Sequence, residues 1–257
     1  MIGVLDYGAG NLGSVMNALA HLGAQARFVR GPEELVAPAG KAPFEKLVFP
    51  GDGHFGTAMA SLNRSGYAEA IREWIRADKP FLGICIGLQL LFDSSEETLP
   101  EVGEEGESGC GTTHPVSNRP FHSEGKAESA CSTTPPASNR PFHSESKAES
   151  TCGAGLAVIR GAVKRFPGRK LPQIGWNRTE ARRGSCLFRG LPENVHFYYI
   201  HSYYAAPEDE SVTAAVSDYY ISFCAAIERG ALCAAQFHPE KSGDAGLRLL
   251  ENWLRKR

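Results

Sequence analysis

The 257-residue chain has little excess charge and no long apolar run. Its 27 Lys and Arg residues nearly balance its 29 Asp and Glu residues, so the formal net charge is −2. A near-neutral chain offers no general attraction to nucleic acid or to an anionic membrane surface. No apolar run reaches the roughly 18–20 residues that a membrane-spanning helix needs. The composition therefore predicts neither a nucleic-acid-binding protein nor an integral membrane protein.

The N-terminus and the cysteines indicate the compartment. MIGVLDYG lacks the basic start of a secretory signal peptide and reaches an acidic residue at Asp6. The seven cysteines are an odd number, and a chain of this length does not depend on disulfides for its core. We therefore expect free thiols and a cytoplasmic location.

Residues 98–153 lack almost all the side chains that build a core. The segment has one Leu and no Ile, Met, Trp or Tyr, and residues 107–127 recur as 128–148 with 16 of 21 positions identical. One Phe per copy cannot offset the entropy of ordering the chain. We expect a disordered insertion that interrupts a single domain.

The repeat also carries Cys and His residues, which raises the question of a zinc site. Structural zinc sites use pairs of ligands about two to five residues apart. Cys110 and His114 come that close, but the second copy has Pro135 where the first has His114. Duplication of the segment explains these residues better, and we expect no metal site.

Before the insertion, short apolar runs alternate with helix-like spacing. Helices are expected at about 11–21 and 67–76. This alternation indicates a parallel sheet with helices on both faces. The strands are expected at 2–7, 25–29, 46–49 and 81–84.

After the insertion the pattern is richer in strands. We expect strands at 155–166, 196–205 and 213–220, a hairpin over 221–237 that turns near Gly230, and a closing helix near 243–255. The predicted fold class is α/β, with a mostly parallel central sheet flanked by helices and an added strand-rich C-terminal half.

A glycine-framed cysteine follows the strand at 81–84. In FLGICIGLQLLF, Cys85 lies between Gly83 and Gly87. Small residues two positions away on each side permit a sharp strand-to-helix turn of the nucleophile-elbow type. The thiol would then lie at a helix N-terminus, which favours the thiolate, and the Ile86 amide could donate to an oxyanion. A buried core cysteine is the alternative interpretation of this motif alone.

A second motif, QFHPEKSG, favours catalysis. In an extended segment, residues two apart face the same side, and Pro239 stiffens the backbone between His238 and Glu240. The carboxylate can orient the imidazole, which can serve a thiolate as base and then as acid. Both motifs follow predicted strands, and sites in open α/β sheets form at the C-terminal ends of strands.

A competing pattern lies near the N-terminus. GAGNLG at 8–13 fits the dinucleotide-binding G-x-G-x-x-G between a strand and a helix. The acidic residue expected about 20 residues later is absent, and the second strand ends in Phe28-Val29-Arg30. Arg30 could suit the 2′-phosphate of NADP, so an NADP-dependent enzyme is an alternative. It leaves the cysteine and histidine motifs unexplained.

Several segments together resemble one family. They are VLDYGAGNLGSV, FPGDGHFG, GICIGLQLLFDSSEE, LPQIGWN, FYYIHSYY and QFHPEKSGDAGLRLLENW. This set resembles the glutaminase subunit of imidazole glycerol phosphate synthase, a class I (triad) glutamine amidotransferase of histidine biosynthesis. The resemblance covers residues 1–97 and about 154–257. GICxGxQ and FHPE are typical of class I amidotransferases broadly, and DYGxGN, GWN, HSY and HPEKSG narrow the family.

The resemblance implies a reaction and a partner. Cys85 would attack the side-chain amide of glutamine, and His238, held by Glu240, would move the proton, so that a glutamyl thioester forms and is hydrolysed. Ammonia would pass to a separate (βα)8-barrel cyclase subunit, which makes imidazole glycerol phosphate and an aminoimidazole carboxamide ribotide. The heterodimer would need no metal or organic cofactor.

The resemblance also assigns roles to matching positions. The oxyanion segment would be Asp52, Gly53 and the Ile86 amide. The glutamine pocket would include Gln89, Glu97, Ser202 and Tyr203, and the face toward the cyclase would include Asn11, Trp176, Asn177 and Lys241.

The sequence departs from the family pattern in two places. Asp52 replaces the Val of the usual P-G-V-G, whose amide is implied to turn into the oxyanion hole when the cyclase is loaded. We expect the Asp52 side chain to point to solvent or to cap the helix that starts near Phe55, since Asp is a good N-cap residue, and not to face the oxyanion. The insertion starts directly after Glu97, where the family has a short connection. The remaining alternatives are another class I amidotransferase or a cysteine hydrolase with a different acceptor, and a non-catalytic binding module.

Overall fold

A twelve-stranded sheet organises the computed structural model, which describes residues 1–7, 11–36, 43–97 and 153–256. The expected disorder and the zinc candidates of the insertion fall on residues 98–152, outside the described residues. Gly153 is described, and its carbonyl accepts a hydrogen bond from the Ser95 amide at 2.8 Å. Gly153, which the sequence pattern assigned to the insertion, is therefore paired with the strand that ends at Ser95.

The N-terminal half forms the parallel part of the sheet. Its strands run in the order β2-β1-β3-β4, and β12 from the C-terminal half adds a fifth parallel strand beside β4. The strands are apolar because they are covered on both faces, and Leu47, Val48 and Phe49 are fully buried. The elements are β1 (Ile2–Val4), α1 (Leu12–His21), β2 (Ala26–Phe28), β3 (Lys46–Gly51), α2 (Phe55–Ser65), α3 (Tyr67–Arg76) and β4 (Phe81–Cys85).

The chain from residue 86 onward extends the sheet with mostly antiparallel strands, the pair β5–β6 being parallel. The order continues β12-β11-β10-β7-β8, and β5, β6 and β9 form a branch that joins at β11. The elements are α4 (Ile86–Gln89), β5 (Phe92–Ser95), β6 (Ile159–Arg165), β7 (Gln173–Ala181), β8 (Val195–His201), β9 (Tyr203–Pro207), β10 (Thr213–Tyr219), β11 (Ile221–Arg229), β12 (Leu232–Ala235) and α5 (Gly243–Arg255).

This architecture confirms the predicted fold class and the closing helix. The hairpin is confirmed as well, with Arg229 opposite Leu232 and Gly230 at φ 58°. Strands β5 and β7 were not predicted. The run at 196–205 is two strands that break at Ser202, because the chain leaves β8 to pair with the β5–β6 branch as β9.

The register of three neighbouring parallel strands brings the predicted motifs together. Gly51 at the end of β3 lies opposite Cys85 at the end of β4, and Ile84 lies opposite Ala235 at the end of β12. The segments that follow these strands must therefore meet at one edge of the sheet. None of the helices in the described ranges combines the length and apolar character needed to cross a membrane.

Candidate active site

Cys85 occupies a strained turn that its two glycines make possible. Its φ is 55°, a left-handed conformation that is uncommon for a residue with a side chain. A Cβ on Gly83 would lie 2.5 Å from the Gly87 carbonyl oxygen, and a Cβ on Gly87 would lie 2.0 Å from the Phe49 carbonyl oxygen. Both glycines are therefore sterically required, as the elbow interpretation predicted. The helix that follows has four residues, so its dipole stabilises a thiolate only weakly.

A histidine–carboxylate pair lies beside the thiol. His238 follows β12, and its Nδ1–H group donates to Glu240 Oε1 at 2.8 Å. The two side chains are only 3% and 1% exposed. Burial alone lowers the pKa of His238, but its interactions with Cys85 and Glu240 outweigh that effect and raise the pKa to about 10. The Ser242 hydroxyl, which donates to the His238 carbonyl at 2.6 Å, fixes the turn. The imidazole is therefore oriented and biased toward its protonated form.

A glutamine that the sequence interpretation did not single out contacts the sulfur. Gln236 Nε2 donates to Cys85 Sγ at 3.8 Å, and Gln236 is fully buried. Gln89 Nε2 donates at 3.0 Å both to Gln236 Oε1 and to the Tyr203 carbonyl. Gln236 stands within the quoted QFHPEKSG, two positions before His238. Since side chains alternate along an extended segment, that spacing was the available signal.

One cavity of about 180 Å³ opens onto the thiol. All the residues predicted for the oxyanion segment and the glutamine pocket line this cavity, whereas His238 and Glu240 do not line it. The lining residues are Asp52, Gly53, Cys85, Ile86, Gln89, Glu97, Pro172, Ile200, His201, Ser202 and Tyr203.

Glu97 is anchored by the start of α2. Its Oε2 accepts a hydrogen bond from the Phe55 amide at 2.7 Å, and its Oε1 lies 3.9 Å from His54 Nε2. The carboxylate is thus held at the cavity wall, where it can pair with a cationic group of a ligand. His201 on the same wall was not predicted. Burial lowers the pKa of His201 to about 4, so it is neutral at physiological pH.

The structure corrects the expected role of the Asp52 side chain. The N-cap of α2 is His54, whose Nδ1 accepts from the Gly56 amide at 3.2 Å. The Asp52 carboxylate instead accepts from the Gly53 amide at 2.9 Å. Asp52 is three residues before Phe55, too early to occupy the cap position, so the cap alternative was wrong, whereas the exposure of Asp52 agrees with the solvent-facing alternative.

A second cavity lies on the other side of the oxyanion segment. It has a volume of about 330 Å³ and shares Asp52 and Gly53 with the first cavity. Tyr7 lines it and is buried, and its hydroxyl has no hydrogen-bond partner among the described residues. Burial raises the pKa of Tyr7 strongly, so the phenol stays protonated. The residue belongs to the quoted VLDYGAGNLGSV but received no role from the sequence.

One of the four predicted interface residues lies in the turn that carries Glu240, and the others lie at the start of α1 and on β7. Lys241 ends this 3-10 turn and is half-buried, and both α1 and β8 pack against the turn. Asn11 caps α1 by accepting from the Ser14 amide at 3.2 Å. Trp176 on β7 is 57% exposed. Asn177 Nδ2 donates to the Asp218 carbonyl at 2.9 Å, so this side chain is held in the sheet.

Comparisons with known proteins support the family resemblance that the sequence motifs indicated. The family described as "Glutamine amidotransferase class-I" matches residues 3–256. The imidazole glycerol phosphate synthase subunit HisH of Desulfitobacterium hafniense is 37% identical over 254 residues, covering 98% of this chain and 93% of that protein. The chloroplastic imidazole glycerol phosphate synthase hisHF of Arabidopsis thaliana is 37% identical over 259 residues, covering 99% of this chain and 34% of that protein. PurLQS from Thermotoga maritima, a solved structure, matches with a TM-score of 0.61 at 13% identity over 98% of this chain and 96% of that chain.

Proposed function

Because the chain belongs to the class-I glutamine amidotransferase family and to its HisH branch, we propose that it hydrolyses glutamine to glutamate and ammonia. The ammonia is supplied to a cyclase subunit of imidazole glycerol phosphate synthase, in histidine biosynthesis. The observation that carries the proposal is the meeting of Cys85 with the buried His238–Glu240 pair at the wall of one small cavity.

The proposed chemistry begins at the thiol. The Cys85 sulfur adds to the side-chain amide carbon of glutamine, and the protonated His238 gives its proton to the leaving nitrogen, which departs as ammonia. The resulting glutamyl thioester is attacked by water, and His238 accepts the water proton. Glu240 holds the ring orientation and stabilises the imidazolium through its 2.8 Å contact with Nδ1.

The cavity supplies the binding groups. Glu97 is proposed to pair with the α-ammonium of glutamine, because its carboxylate is fixed by the Phe55 amide. Ser202 and Tyr203 lie across the cavity and contact the rest of the substrate. The Gly53 and Ile86 amides are proposed to stabilise the oxyanion. Gln89 uses both of its amide N–H groups on the protein, so it contacts substrate through its carbonyl or through the wall that it supports.

The partner is proposed to be a cyclase subunit that forms a heterodimer with this chain. The Arabidopsis relative carries the matching region as about a third of a longer chain named hisHF. Lys241 lies in the turn that carries Glu240, and α1, which Asn11 caps, packs against this turn, so a partner bound there could influence the triad. The described cysteines are free thiols, which suits the proposed cytoplasmic location.

The test measures glutamate release from glutamine by the purified chain, alone and with a HisF-type cyclase and its phosphoribulosyl ligand. The proposal expects hydrolysis that depends on Cys85 and rises when the loaded cyclase is added. Cys85-dependent hydrolysis without any response to the cyclase would place the chain with a different ammonia acceptor. No hydrolysis in either case would favour a non-catalytic binding module.

A further inference from the structure

The buried amide beside the nucleophile has a defined orientation. The backbone of Gln236 is fixed because its amide donates to the Ala225 carbonyl at 2.9 Å. Its side chain lies between Cys85 and Gln89 and is shielded from water. A buried primary amide must place its NH₂ and its carbonyl correctly, since a wrong orientation leaves both ends unsatisfied.

The orientation follows from a backbone group that can only accept. The Tyr203 carbonyl lies 3.0 Å from the Gln89 amide, which must therefore present its NH₂ group there. The second N–H of that NH₂ group points to Gln236, 3.0 Å away, which must present its carbonyl oxygen. The NH₂ group of Gln236 is then at the other end, 3.8 Å from the Cys85 sulfur. The Tyr203 carbonyl thus fixes the orientation of the Gln89 amide, which in turn fixes the orientation of the Gln236 amide.

We propose that Gln236 is a catalytic residue that stabilises the Cys85 thiolate through its Nε2–H group, and that Gln89 is the positioning residue that holds this donor toward the sulfur. The proposal rests on the proposed function, because it assumes that Cys85 is the nucleophile. It assigns Gln89 a role toward Gln236 in addition to any contact with substrate.

Burial disfavours a charged thiolate in general, and a hydrogen-bond donor at this position offsets that cost. Burial raises the pKa of Cys224 to about 11 and that of Cys233 to about 12, so burial opposes the ionisation of these two thiols. Cys85 is also buried, with 4% exposure. A hydrogen bond to a charged acceptor is stronger than one between neutral groups, so the Gln236 amide favours the thiolate over the thiol.

The experiment follows the ionisation of Cys85 without substrate. Alkylation by iodoacetamide is measured from about pH 5 to pH 10, and the Cys85 peptide is quantified by mass spectrometry to separate it from the other cysteines. The titratable groups around the sulfur are the same in every variant, so a change in the midpoint reports the amide. These groups are His238, Glu240, Tyr7, Asp52, Glu97, His201 and Tyr203.

In Gln236→Met, which keeps the volume and removes the donor, the alkylation midpoint is expected to rise by about one to two pH units. The kcat for glutamine should fall about 10- to 100-fold. Gln89→Met should give a smaller rise, because the amide of Gln236 is then free to rotate. If Gln236→Met does not fold, Gln236→Asn replaces it, since the shorter side chain keeps the amide but withdraws it from the sulfur.

Asn252→Leu is the matched control. Asn252 is likewise a buried amide that donates twice, to the Leu187 and Arg189 carbonyls at 2.8 Å, but it lies on α5 and outside the cavity. This variant should lose thermal stability and keep the wild-type midpoint. A folded Gln236 variant with an unchanged midpoint would overturn the proposal. Glutamine hydrolysis by Cys85→Ala would instead reject the proposed function, and the midpoints would still stand as a measurement of the thiol.

Discussion

The carboxylate of Asp52 accepts a hydrogen bond from the backbone amide of Gly53, at 2.9 Å. This amide is one of the two groups proposed to stabilise the oxyanion, and both residues line the cavity that contains Cys85. The contact therefore occupies a donor that the reaction needs and adds a negative charge beside the developing oxyanion.

Asp52→Val should raise the rate of glutamine hydrolysis by about tenfold, a part of the 10²–10³ that a single oxyanion donor is typically worth. The physical reason is that the Gly53 amide is released and the charge is removed. Asp52→Asn is the matched control, since it keeps an acceptor for Gly53 without the charge, and its rate should be intermediate. The measurement is kcat without the cyclase. A valine variant no faster than wild type would mean that the carboxylate does not restrain this amide during turnover.

Cys85→Ala should abolish glutamine hydrolysis and leave folding intact, because it removes the nucleophilic sulfur from a turn shaped by Gly83 and Gly87. A complex with the cyclase should still form product when ammonium salt is added. Circular dichroism and both activities are measured on the same preparation. Residual hydrolysis near the wild-type rate would remove Cys85 from the mechanism.

Glu240→Gln should lower the rate less than Cys85→Ala and should flatten the dependence of stability on pH. Burial lowers the pKa of His238, but Cys85 and Glu240 raise it to about 10, above the ordinary histidine value of 6.5. A raised pKa stabilises the folded state fully below about pH 6.5, and this stabilisation is lost as the pH rises toward 10.

The melting temperatures of wild type and Glu240→Gln are compared across that range. Their difference should be largest at its acidic end and should shrink toward the alkaline end. A difference that stays constant with pH would show that the carboxylate stabilises the fold by a route other than the protonated imidazole.

Trp176→Ala should weaken binding of the cyclase by about tenfold or more, since exposed aromatic side chains dominate many interfaces. Phe28→Ala is the matched control: Phe28 is 40% exposed and Trp176 57% exposed, but Phe28 lies on β2 at the other end of the strand order. Titration calorimetry with the cyclase measures both. Equal affinities for the two variants would exclude Trp176 from the interface.

Replacing residues 98–152 with a linker of three or four residues that includes Gly should preserve folding and hydrolysis. The described residues on the two sides are already paired, through the Ser95–Gly153 hydrogen bond and the bridge between Ser94 and Ala154. Loop closure entropy changes by only about 0.6 kcal/mol per doubling of length, so shortening should stabilise mildly.

Melting temperature, cyclase binding and the kinetic constants for glutamine are measured on the shortened chain. The Michaelis constant for glutamine is the parameter that we expect to change most, because Glu97 directly precedes the replaced residues. A shortened chain that fails to fold or to bind the cyclase would show that the insertion is structural.

The sequence by itself determined the fold class, the elbow and the identity of the proposed triad. These features are local: a buried strand needs a continuous apolar run, the turn at Cys85 needs glycines at two fixed positions, and His238 and Glu240 share a face because they are two residues apart. The family resemblance named the cavity residues for the same reason, since short motifs carried them. The G-x-G-x-x-G pattern at 8–13 shows the limit of such patterns, because it occurs here in an amidotransferase.

Tertiary structure alone decided which groups touch across the sheet. Gln236 meets Cys85 because β12 is the parallel neighbour of β4, a pairing between positions about 150 residues apart in the chain. The Asp52 carboxylate could have capped α2 on sequence grounds, and the path of the loop gave that role to His54 instead. Hydrogen bonds between residues far apart in the chain depend on positions in space, and no local pattern encodes them.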